Sequence, residues 1–172
     1  MSPIDWGRWV IAIALTCILV WAAFTDVRER KISNWAVLAV LGLALPWLGT
    51  YVLLGLGVWV LWAIAGGVIA FIVSFILYAS GVIGAGDSKL FAAVALFTGL
   101  SNLPMLALAT AMAGALMAAV SFVSRPSRAM TMLTLRGKGD FGRGIPYGVA
   151  IAIGTAFVVW CVLLKIPMPI QF

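Results

Sequence analysis

The chain has 172 residues, of which 65% are hydrophobic and 9% charged, and its mean hydropathy is +1.18. Composition of this kind excludes an ordinary soluble domain and points to membrane-spanning helices. There is no histidine and no Cys-x-x-Cys pair, which argues against a zinc site and excludes Ser-His or Cys-His catalysis. The net charge of +6 would suit nucleic acid, but the cations cluster between apolar runs, a pattern that fits lipid headgroups and topology instead. No polar stretch is long enough to fold separately, so residues 1–172 read as a single membrane-embedded domain with no separate soluble domain.

The first apolar segment, about 9–24, is preceded by one cation, Arg8, and followed by Arg28, Arg30 and Lys31. That asymmetry predicts a retained helix with its N-terminus outside, not a cleaved signal. A charged loop is expected over 25–34. From Ile32 to Gly86 there are 55 uncharged positions, enough for a second helix near 34–48 and a third near 58–80, with the turn between Pro46 and Gly57. A further 35 uncharged residues run from Leu90 to Ser124, and Ser101-Asn-Leu-Pro104 divides them. The fourth helix is then about 88–100 and the fifth about 104–123, with small residues at Ala107, Ala111, Ala115 and Ala119 and Gly114 beside them for close packing. A polar loop over 125–143 carries Asp140, read as a solvated residue, and the last helix runs from about Ile145 to about Lys165.

The expected fold is therefore all-α, a polytopic integral membrane protein with about six transmembrane helices and both termini outside. This topology assigns nine cations to the inside (Arg28, Arg30, Lys31, Lys89, Arg125, Arg128, Arg136, Lys138, Arg143) and two, Arg8 and Lys165, to the outside. It also brings two acids, Asp26 and Asp87, to the same face. Asp87 belongs to Gly81-Val-Ile-Gly-Ala-Gly-Asp87-Ser-Lys-Leu90, and the fourth helix, about 20 Å long, is too short to keep it above a hydrocarbon core about 30 Å thick. The plain alternative is a glycine-rich turn with Asp87 as an N-cap.

Ionisable groups at membrane depth are costly and commonly functional. Two neighbouring carboxylates share a proton, so one can draw a proton from water while the other protonates a scissile carbonyl. Helix ends give a way to divide the roles: Asp87 opens a helix and is expected to be the base, whereas Asp26 follows a helix C-terminus and is expected to hold the proton.

Asp26-Val-Arg-Glu-Arg-Lys-Ile-Ser-Asn34, Gly84-Ala-Gly-Asp87-Ser-Lys-Leu90 and Ile145-Pro-Tyr-Gly-Val-Ala-Ile-Ala-Ile-Gly154 resemble, in order, the motifs of bacterial type IV prepilin peptidases. Gly-x-Gly-Asp on its own is shared with presenilin-like and signal-peptide-peptidase-like proteins. The resemblance implies an aspartic endopeptidase of the inner membrane, with Asp26 and Asp87 catalytic and neither metal nor cofactor. It also implies a prepilin or pseudopilin substrate, cut at the cytoplasmic face between its basic leader and its apolar helix. Ser33 stands where the family often has proline. The four-cysteine insert of larger, methylating members is absent from this sequence, and the short form resembles the Flp/Tad-pilus peptidases.

Around the acids, Gly84 and Gly86 are expected to permit close approach, Pro146 to open the last helix, and Gly148 to admit a neighbour. Tyr147 suits either a hydrogen bond to an acid or an interfacial aromatic, and Lys89 either tunes the pair or snorkels to the interface. The tryptophans read as interfacial. Two other functions compete: a small proton-coupled transporter, and a non-catalytic pilus-assembly scaffold that would tolerate loss of either acid. Membrane lipids are the other expected partner, and nucleic acid is not.

Overall fold

The computed structural model describes residues 3–29, 31–124 and 147–164. Among them the chain forms helices α1 (Pro3–Glu29), α2 (Asn34–Leu53), α3 (Gly57–Ala79), α4 (Ala85–Ser124) and α5 (Tyr147–Leu163), and no strand. The first four are long and apolar enough to cross a membrane, and α5 is a shorter apolar helix. The polar stretch 125–143 with Asp140, together with Pro146, lies outside the described residues.

Where six separate helices are expected, five elements are found, because the expected fourth and fifth form one element broken at Gly99. There φ is 70° and ψ is 175°, a region that in practice only glycine occupies. The break comes two residues before the Ser101-Asn-Leu-Pro104 divider. Asn102 Nδ2 donates back to the Thr98 carbonyl at 3.0 Å, so the polar residues that mark a turn in the sequence serve to cap the arm before it.

Neighbour order shows that the two arms of α4 run in opposite directions. Along the first arm, Ser88 meets Ser74, Ala92 and Leu96 meet Gly67, and Gly99 and Leu100 meet Gly66, so this arm is antiparallel to α3. Along the second, Thr110 meets Gly154 and Gly114 meets Tyr147 and Ala150, so that arm is antiparallel to α5. Helix α1 is also antiparallel to α5. Asp26 meets Gly148 at one end, and at the other Trp9 packs on Trp160 with ring centroids 5.5 Å apart, while Trp160 Nε1 donates to Thr16 Oγ1 at 3.2 Å. Buried residues on almost every face of α5 mark it as the central helix.

Several other expectations change. Helix α2 passes through Pro46 and ends at Leu53, beyond the expected 48, while the turn, residues 54–56 with Gly55 at φ 71°, falls within the expected Pro46–Gly57 stretch; proline is tolerated within membrane helices. Ala107, Ala111, Ala115 and Ala119 are all exposed, whereas Leu106, Thr110 and Gly114 are buried. The packing face of the second arm is thus rotated away from the alanine stripe. Trp47 is 0% exposed and is a core residue, not an interfacial one. It packs on Phe97 with centroids 5.7 Å apart, and the Arg8 guanidinium lies 4.7 Å from its ring centre.

Candidate active site

The buried stripe of α1 is Ala12, Leu15, Leu19, Ala22 and Asp26. Steps of three and four residues keep one helical face turned inward, so the register that buries two leucines also carries the acid into the bundle. The charged loop expected from 25 begins later than the sequence suggests: α1 continues to Glu29 and Asp26 sits in its final turns, 6% exposed. Gly148, in the first turn of α5, donates its backbone N–H to Asp26 Oδ2 at 2.8 Å. That amide is one of the four at a helix start that lack an internal acceptor, so an acid on α1 completes the opening turn of α5.

Asp87 occupies the corresponding place on α4. The Gly84 carbonyl accepts the first helical bond, from Ser88 N at 3.1 Å, and the Gly84 N–H donates to Asp87 Oδ2 at 3.2 Å. The cap position therefore belongs to Gly84, and Asp87, three residues on, reaches back to it as the acid of a capping box does. This replaces the reading of Asp87 as an N-cap and starts the helix a turn earlier than 88. From Ala85 to the break at Gly99 the arm rises about 21 Å, close to the length expected from the sequence.

The two acids come to the same end of the bundle, where α1 and α3 finish and α2, α4 and α5 begin. Gly86, the residue before Asp87, and Gly148, which holds Asp26, both lie against Ile32. Ile32 thus stands between the first turns of α4 and α5. A methyl group placed on Gly86 would lie 3.0 Å from Ile32 Cβ, and one placed on Gly148 would lie 3.1 Å from Ile32 Cδ1 and 2.8 Å from Asp26 Oδ2. Gly86 and Gly148 are thus tight contact points, whereas a methyl on Gly84 would meet only the Asp87 side chain, at 2.8 Å. Lys89 is exposed, as snorkelling requires.

Since both carboxylates touch the N-terminus of a helix, helix ends do not divide their roles. The expectation that Asp87 is the base because Asp26 lies at a helix C-terminus does not survive the contact with α5. Two features of this end are not evident from the sequence. Ile32 is one apolar side chain within a charged stretch, and that contrast is the signal that would have marked it. Ser33 caps α2 by accepting from Trp35 N at 3.2 Å, with φ −66° and ψ 136°. Proline fixes nearly the same φ, so the departure from the family pattern leaves the turn unchanged. A cavity of about 180 Å³ lies at the opposite end, between Tyr51, Trp59, Trp62 and the Gly99 break.

No curated protein and no solved structure matches the chain. The family model of the type IV leader peptidases matches residues 13–119, more than half of the chain, a span that includes both acids, the charged stretch between α1 and α2, and the Gly99 break. This helical, strongly apolar chain belongs to the type IV leader peptidase family.

Proposed function

We propose that the chain is a membrane-interface aspartic endopeptidase that removes the basic leader from type IV prepilins of the Flp/Tad class at the cytoplasmic face of the inner membrane. The observation that carries this reading is the arrival of Asp26 and Asp87, sixty-one positions apart in the sequence, at one end of the bundle, each held by a backbone amide of a helix start. The pair shares one proton. The ionised carboxylate takes a proton from water as the water oxygen attacks the scissile carbonyl carbon, and the protonated carboxyl gives its proton to the carbonyl oxygen. Collapse of the resulting gem-diol passes a proton to the amide nitrogen, breaks the C–N bond and returns the pair to its starting state.

The chain crosses the membrane six times in this reading, with Gly99 as the outer reversal and both termini outside. Arg28, Lys31 and Lys89, exposed at the acid end, then face the cytoplasm. Asp26 and Asp87 lie at one end of the bundle, whereas a proton-coupled transporter would place such acids near the midplane. The test is co-expression with a prepilin, following leader removal by gel mobility. Asp26→Asn and Asp87→Asn should each abolish processing at unchanged membrane levels. Normal processing by either variant would overturn the two-acid mechanism, and would be the result expected of a scaffold.

A further inference from the structure

We infer that Ile32 is a positioning residue of the two-acid site, a wedge whose volume sets the separation of Asp26 and Asp87. The inference rests on the two-acid reading above and goes beyond it, because it gives a role to a side chain with no chemistry of its own.

The observation is that Ile32 touches both acid-bearing regions with opposite ends of one residue. Its Cα, Cβ and carbonyl oxygen face Gly86, the residue before Asp87, and its Cδ1 faces Gly148, the residue whose N–H holds Asp26. On each side the partner is a glycine whose added methyl would come to 3.0 or 3.1 Å from Ile32, so helix backbone lies directly against the isoleucine. Ile32 is half-buried and packs against the core. It belongs to the short link between α1 and α2, where its neighbours Lys31 and Asn34 are exposed. A side chain pinned between the first turns of α4 and α5 fixes how closely those turns approach. Each turn holds one carboxylate by a backbone amide, so the spacing of the turns becomes the spacing of the acids. Being branched at Cβ, isoleucine has few rotamers in which to relax, and close-packed interiors transmit such displacements rather than absorb them.

The consequence is kinetic. A displacement of about 1 Å between catalytic groups costs on the order of a hundredfold in rate, whereas leader binding does not depend on the gap between the acids. Cleavage by purified enzyme in detergent micelles is measured for Ile32→Val, Ile32→Ala, Asp26→Asn and Asp87→Asn. Valine removes only the methyl that faces Gly148, so kcat should fall about three- to tenfold. Alanine should lower it by about a hundredfold, with KM within about twofold of wild type in both. Gly86→Ala presses on the wedge from the other side, where its methyl would stand 3.0 Å from Ile32 Cβ, so it should also lower kcat with KM within about twofold of wild type.

If Ile32→Ala fails to accumulate in the membrane, Ile32→Val and Gly86→Ala carry the test. Wild-type kcat in Ile32→Val, or a loss confined to KM, would overturn the wedge. In that case inactive Asp26→Asn and Asp87→Asn would leave the two-acid reading standing. Active aspartate variants would defeat the two-acid reading whatever Ile32 does.

Discussion

At the scale of single residues, the site is built from acids that replace missing helix partners. Asp26 completes the start of α5 and Asp87 the start of α4, so each carboxylate has a structural task before any chemical one. Gly148 shows how tightly this is drawn. Alanine there would gain about 1 kcal/mol of helix propensity, but its methyl would sit 2.8 Å from Asp26 Oδ2 and 3.2 Å from Asp26 Cβ. Overpacking costs about 1–3 kcal/mol, so the two stability effects largely offset. We therefore expect Gly148→Ala to accumulate nearly normally and to lose about a hundredfold in leader cleavage, because Asp26 must turn away. Ordinary turnover at ordinary abundance would mean that the close contact has no catalytic consequence. Ser33 makes a second prediction. Ser33→Ala should cost about 1 kcal/mol by loss of the cap, and Ser33→Pro should recover about 0.4–1 kcal/mol of that through a stiffer unfolded chain. Detergent unfolding curves of the two variants decide it, and a proline variant below alanine would show that the Ser33 N–H matters.

At the scale of helices, sequence legibility tracked chemistry better than facing. Asp26 and Asp87 stood out because charge at membrane depth is rare, and the first and third helices followed from uninterrupted apolar runs. The buried face of the second arm of α4 was misread because alanine is small wherever it points. Only the partner helix decides which small residues are used, and α5 meets Thr110 and Gly114 rather than the alanines. The break in α4 was placed two residues late for a related reason: Gly99 follows Thr98 without a turn signature, while the visible signature downstream is a cap. Gly66 is what allows the reversal to pack. A methyl on Gly66 would stand 2.7 Å from both Gly99 C and Leu100 N, backbone atoms that cannot rotate aside. Gly66→Ala is expected to destabilise by at least about 1–3 kcal/mol. Gly49→Ala, on α2 with nothing within 4 Å, should be neutral or slightly stabilising. Thermal aggregation in detergent compares them, and equal behaviour would mean that α3 and α4 are not held at this crossing.

At the scale of the whole molecule, the described charges separate between the two ends. Asp5 and Arg8 lie near the start of α1, and Asp26, Arg28, Glu29, Lys31, Asp87 and Lys89 lie where the acids meet. The 54–56 turn and the Gly99 break line one cavity, so they share the end remote from the acids although they are far apart in sequence. If the bundle crosses the membrane as proposed, this arrangement dictates labelling from opposite sides. In a background lacking Cys17 and Cys161, Leu54→Cys and Ser101→Cys should react with an impermeant maleimide on intact cells. Lys31→Cys and Lys89→Cys should react only after the inner membrane is opened. The informative pair is Ser101 and Lys89, twelve residues apart. A helix between them rises about 18 Å, which is short for a bilayer core of about 30 Å, so opposite labelling requires the membrane to thin locally or the ends of this arm to sit within it. Such an arm keeps Asp87 below the headgroups yet near water, the position a hydrolytic acid needs. Labelling of both sites from one side would mean that the chain turns at Gly99 without crossing, and the acids would then no longer lie opposite the 54–56 turn across a bilayer.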